Sequence, residues 1–344
     1  MLNDDFYITN QLDSVDTHLM RLQNMFLSQA IDALRRMTPS QLADRKFVQS
    51  TLKEVLATFN NVGVLTGRVS KFIDDSVNFE TSIVIQRLES AYAVGSIGSI
   101  PSLRDNIVGK QRVIKRAKQI QTVMLANKAA DIVANVSRNS KKLSNGAITT
   151  DEVITKAIVK VADTPWVVPV RRADGAVSFW SADARMTLEL RNEVKNIAIA
   201  RTNDVINRSS VNLVEVSSHA NSRPDHADWQ GEVFWLHTPV HGYRPFSVCG
   251  EGYADGFGGV NCRHRKAPFY EGINEPPSPD SVDPKAYEAT QELRRLERRA
   301  RELTQKKDIL SKVGAVDGDL LRRQSEAVSE SYRFAYSNGL RPRL

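Results

Sequence analysis

The chain has 344 residues, 41% of them hydrophobic and 25% charged, which suits a globular protein with room for two cores. Its formal charge of +7 favours an acidic partner, nucleic acid foremost, and no stretch approaches the roughly 18 apolar residues of a membrane span. The acidic start MLNDDFY does not read as a signal peptide, and two cysteines, Cys249 and Cys262, read as thiols of a reducing compartment rather than a disulfide framework.

Residues 1–100 read as a helical region, because apolar residues recur at spacings of three and four. Leu19, Leu22, Phe26, Ala30 and Ala33 lie on one stripe. Thr38-Pro39-Ser40 interrupts the pattern and offers an N-cap with proline just inside the next helix. The stretch from Gly95 to Ser102 reads as a hinge or loop.

Charge is uneven along the chain. Residues 1–100 carry 9 basic and 11 acidic side chains, whereas residues 101–150 carry 10 and 2. The segment 101–160 therefore reads as a basic helical region. In it Val113, Ala117, Ile120 and Met124 form an apolar stripe, and Lys115 and Lys118 fall on the opposite face. Lys110, Arg112, Lys115, Arg116 and Lys118 are the candidates for phosphate contact, weighed against an ordinary solvated helix face.

From Trp166 the texture turns to β, with WVVPVRRADGAVSFW alternating around a hairpin turn at Ala173-Asp174-Gly175. A domain spanning 161–275 follows. Ser181 or Asp183 is placed to cap a helix carrying Met186, Leu190, Val194 and Ile197, and Leu213 to Val216 reads as a strand leading into His219. Residues 276–284 form a proline-rich linker. The last segment, 285–344, reads as a helix and tail, with Leu293, Leu296, Ala300, Leu303 and Leu310 at heptad core positions and Lys307 at a polar one. The fold class is α+β: a mainly helical N-terminal region, a small mixed α/β domain with glycine-rich His/Cys loops, and a long C-terminal helix.

The chemistry-bearing residues crowd into SSHANSRPDHADWQG at 217–231 and GYADGFGGVNCRHRKAPFYEG at 252–272. His219, His226, Cys262 and His264, with Cys249 and Asp225, are candidate zinc ligands, although seven residues separate the first two histidines and two separate Cys262 from His264. Structural zinc sites usually present pairs two to five residues apart. Cys262 beside Arg263, His264 and Arg265 is also conceivable as a nucleophile, but no cysteine-protease signature surrounds it. The glycines of GEGYADGFGG lack the Lys-Ser/Thr pair of a phosphate loop. Residue chemistry alone favours a hydrogen-bonded knot: glycines permit close backbone approach, polar side chains tie irregular loops, and Trp229 and Trp235 are buried beneath them.

In the order Arg201-Thr202, VEVSSHANSRPDHADWQGEVF, GYADGFGGVNCRHRKAPFYEG, a basic heptad helix and a Gly-Leu-Arg tail, the chain resembles the phage minor capsid protein 2 family, related to Mu F-like head morphogenesis proteins. The likeness covers roughly residues 165–344. It implies a minor head protein of a tailed bacteriophage, assembled in the host cytoplasm. In the virion it would sit inside the head or at the portal vertex, with roles in head assembly, DNA packaging or DNA ejection. The implied partners are the portal protein, the major capsid protein and packaged double-stranded DNA. It implies no catalytic residue and no cofactor. The residues carried over as the structural motif are His219, Arg223, Pro224, His226, Trp229, Gly231, Gly259, Asn261, Cys262, Arg263, His264, Pro268 and Gly272. Ala220-Asn221 and Asp255 to Gly258 depart from the family pattern, which touches loop shape more than side-chain chemistry. The alternatives are a metal- or cysteine-dependent enzyme, or an injected effector, carried in the virion.

Overall fold

The computed structural model describes residues 4–60, 63–102, 107–171, 175–209, 211–219, 222–259, 262–278, 283–342 and 344. Among them ten helices and six strands follow one another: α1 (Asp4–Arg35), α2 (Pro39–Ala43), α3 (Arg45–Asn60), α4 (Gly63–Ala93), α5 (Ile107–Ser137), α6 (Ser140–Ser144), α7 (Thr150–Ala162), β1 (Val167–Arg171), β2 (Val177–Ser181), α8 (Ala182–Ser209), β3 (Leu213–Val216), β4 (Val233–Trp235), β5 (Arg244–Pro245), β6 (Lys266–Pro268), α9 (Pro284–Ser311) and α10 (Gly318–Ser337). This is the α+β class. No helix is long and apolar enough to cross a membrane among the described residues.

The chain divides into two compact units, each drawn from three separate stretches. One comprises Met1–Gln11, Val69–Lys115 and Leu188–Gln291; the other comprises Leu12–Arg68, Arg116–Thr187 and Glu292–Leu344.

The second unit is helical apart from the hairpin β1–β2. The stripe Leu19, Leu22, Phe26, Ala30 and Ala33 of α1 is buried. Phe26 meets Phe59 and Trp166 edge to face, with ring centroids 5.8 and 6.5 Å apart. Thr38 caps α2 in a capping box with Gln41 and Pro39 just inside, and Thr149 with Glu152 does the same for α7. Strands β1 and β2 pair antiparallel with Val167 opposite Ser181, while the turn residues Ala173 and Asp174 lie outside the described residues. Lys128 of α5 is buried, its ammonium donating to the Thr164 carbonyl at 2.8 Å and lying 4.9 Å from the Trp166 ring centroid. The C-terminal segment holds two helices. Gly314 (φ 66°) lies in the turn after α9, and Asp317 caps α10 by accepting from Leu320 N–H. In α9, Leu293, Leu296, Ala300 and Leu310 are buried as the heptad reading requires, while Leu303 is half-buried.

In the first unit the sheet runs β5-β4-β3-β6, with β3 central and antiparallel to both β4 and β6, and β5 parallel to β4. All four residues of β3 are buried. Alternation sends Val214 and Val216 to a core with Ile206, Trp229, Phe234, Phe246 and Phe257, and Leu213 to a second cluster with Val233 and Phe269. Glu215 is buried and held by Arg87 of α4 through two bonds of 2.8 and 3.1 Å. The apolar face of α8 is as expected, Leu190, Val194 and Ile197 being buried.

Candidate functional site

The loop after β3 and the loop before β6 are tied by a reciprocal pair of hydrogen bonds at the sheet margin. Ser217 N–H donates to the Arg265 carbonyl at 2.9 Å, and Arg265 N–H returns a bond to Ser217 Oγ at 2.9 Å. These bonds set the sequence-distant residues 226 and 264 beside one another. Pro224–His226 forms a single 3₁₀ turn that swings His226 inward to 2% exposure, against 1% for His264.

The glycine-rich stretch follows from close backbone approach rather than from ligand contact. A Cβ on Gly256 would stand 2.0 Å from the Gly250 carbonyl oxygen, and one on Gly259 would stand 2.4 Å from that of Ala254. Only glycine fits at either position. The resulting compact loop seats Phe257 under Trp229 and presents the Asp255 carbonyl to His226.

Three side chains converge at the centre. His226 Nδ1 and His264 Nδ1 are 3.2 Å apart, Cys262 Sγ is 3.6 Å from His264 Nδ1, and the three residues offer potential ligand atoms that all lie within 4.8 Å of one another. Trp229 covers them, its ring centroid 4.5 Å from that of His226 and 4.7 Å from that of His264. Behind them the Lys195 ammonium donates to the His264 carbonyl at 3.0 Å and to Glu80 Oε2 at 2.6 Å, both partners of the ion pair being buried.

The outer nitrogens of the two imidazoles are spoken for. His226 Nε2 stands 2.8 Å from the Asp255 carbonyl, which only accepts, so Nε2 carries the proton. The Arg223 guanidinium, 3.3 Å from the same nitrogen, cannot donate to it in that tautomer and instead reaches the Asp255 carbonyl at 3.4 Å. His264 Nε2 lies 2.9 Å from Gln230 Oε1, and the same oxygen accepts the His219 backbone N–H at 3.1 Å, which fixes the amide orientation. Burial, joined by the positive charge of neighbouring groups, drives the His264 pKa down to about 2, and burial lowers that of His226 as well. Burial thus disfavours the charged form of both rings.

The other sequence candidates take different places. His219 is half-buried, its Nε2 3.2 Å from the Arg263 carbonyl and 3.3 Å from Ser217 Oγ, outside the three-residue cluster. Asp225 is exposed, and Asn261 lies outside the described residues, as do Ala220 and Asn221. Cys249 packs in the aromatic core, where burial pushes its thiol up to about 12 and keeps it protonated. On α5, Arg112, Lys115, Arg116 and Lys118 are exposed, whereas Lys110 is half-buried and paired with Asp74; Arg104 lies outside the described residues.

Sequence reasoning passed over Gln230, Lys195 and Glu80. Gln230 carries no signal beyond its place between Trp229 and Gly231. Lys195 has one: Ala198, Thr202 and Val205 follow it at three, four and three residues, a second buried row on α8. The cavity lined by Glu80, Lys195, Phe257 and His264 has a volume of about 10 Å³, room for one water and no more.

The family model of phage minor capsid protein 2 matches residues 109–333, well over half of the chain. The match begins far earlier than the motif-based likeness, taking in most of the basic helix α5. No curated protein and no solved structure matches the chain. With a match that runs from α5 to α10, the chain belongs to the phage minor capsid protein 2 family.

Proposed function

We propose that the chain is a minor component of the phage head that sits at or near the portal vertex. There it acts structurally in head assembly, DNA packaging or ejection, and touches the packaged duplex without sequence preference. Membership of the minor capsid family carries this reading, and it makes the protein a virion component that associates with other head proteins. The exposed Arg112, Lys115, Arg116 and Lys118 of α5 support the contact with DNA. Lysine and arginine on one helix face neutralise phosphates and release counterions without reading base edges.

Four phosphate contacts imply that raising salt from 50 to 200 mM weakens duplex binding by about two orders of magnitude, for any sequence of equal length. Fluorescence anisotropy on the purified chain measures this. Binding that ignores salt, or is absent at 50 mM, removes the DNA contact. Density of the intact head vertex tests the placement: the chain is expected to be ordered against portal, and density found only elsewhere on the shell overturns it.

A further inference from the structure

We propose that His226 Nδ1, His264 Nδ1 and Cys262 Sγ bind one zinc ion, which ties the loop after β3 to the loop before β6. The inference stands on the geometry of this cluster and does not depend on where in the head the protein sits.

Three observations converge. First, the outer bonds of both rings place their protons on Nε2, so the two Nδ1 lone pairs face each other across 3.2 Å. That arrangement is relieved by a proton or a metal ion held between them. Second, the two separations that His264 Nδ1 makes are those of ligands around a tetrahedral ion. Zn–N bonds of about 2.0–2.1 Å and a Zn–S bond of about 2.3 Å put ligand nitrogens about 3.3 Å apart and nitrogen from sulfur about 3.6 Å apart. The observed separations are 3.2 Å for His226 Nδ1 to His264 Nδ1 and 3.6 Å for Cys262 Sγ to His264 Nδ1. His226 and Cys262 complete the set, the three residues offering ligand atoms that all lie within 4.8 Å of one another. Third, each histidine donates its other ring N–H to a fixed oxygen, a carbonyl for His226 and Gln230 Oε1 for His264. This is the outer-shell pattern that orients metal-ligating imidazoles.

Two imidazole nitrogens and one thiolate suit zinc better than calcium or magnesium, which take oxygen ligands. As the Zn–S bond forms, the Cys262 thiol proton passes to solvent. A water completes the tetrahedron. All three ligands are buried, and the loops that carry them have little regular secondary structure, so the energy of binding becomes energy of folding. Cys249 takes no part.

The test uses the full chain purified without chelator. Elemental analysis is expected to find about one zinc per chain, with X-ray absorption showing two nitrogens, one sulfur and one oxygen around it. Cobalt(II) in its place is expected to give a sulfur-to-metal charge-transfer band that disappears in Cys262→Ser and persists in Cys249→Ser. If the variants do not fold, the wild-type chain suffices. Zinc should raise its thermal midpoint, a chelator should lower it, and zinc should slow alkylation of Cys262. A chain that folds free of metal and whose Cys262 is alkylated at the same rate with and without zinc overturns the proposal, as does bound zinc with no sulfur in its shell.

Discussion

Glu80 and Lys195 bring opposite charges into the interior of the first unit, 2.6 Å apart, and Lys195 also supports the His264 carbonyl. Removing one partner strands a buried charge, so Lys195→Met is expected to cost about 3–5 kcal/mol, while Glu80→Leu with Lys195→Met should recover most of that loss. Denaturant midpoints of the wild type and the two variants check it, and a double variant no more stable than the single one sinks the argument. Lys128 behaves differently. Burial lowers its pKa from 10.5 to about 8, so between these values the unfolded chain holds a proton that the folded chain has released. Stability should therefore rise with pH from about 8 to 10.5, by at most about 1.4 kcal/mol per unit, and the penalty is fully present below pH 8. Urea midpoints of wild type and Lys128→Met across this window should converge on one pH slope only if the shift is absent. At this scale the sequence announces His226, Cys262 and His264 by residue type. It hides Gln230, whose role comes from a backbone N–H eleven residues away in the chain.

Among the elements, α5 shows how far periodicity carries and where it stops. The stripe Val113, Ala117, Ile120 and Met124 is buried as its spacing demands, and Lys115 and Lys118 face solvent. Lys110 shows the limit: at 100° per residue it falls near the buried stripe, and Asp74 of α4 claims it. Substituting glutamine at Lys115 and Lys118 is therefore expected to reduce the salt slope of DNA binding by about 2, whereas Lys110→Gln should leave that slope unchanged. Equal effects from both sets would move the DNA contact off this face. The helix start at Thr38 was readable from local chemistry, because a cap is satisfied within four residues. The turn after Ser311 was not, since the heptad pattern ends without a proline, and Gly314 and Asp317 mark the start of α10 only once the helix before it is placed.

For the whole molecule, composition changes mark where segments end but carry no information on which segments associate. The β texture that begins at Trp166 suggests a self-sufficient C-terminal half, yet the first unit draws α4 into its core: Val84 and Leu88 pack with Val205 and Ala267, and Arg87 holds Glu215. A fragment of residues 160–344 is expected to lack cooperative unfolding by circular dichroism and to be cleaved rapidly by protease. A sharp two-state melt of that fragment would refute the dependence. The same interleaving governs events on the ribosome. Residues that α4 needs lie about 130 positions later in the chain, roughly ten seconds of translation at ordinary elongation rates. During that interval a helix whose inner face carries Val84 and Leu88 waits for strands not yet made, so the time of greatest exposure to misassociation is fixed by elongation speed and not by the stability of the finished fold.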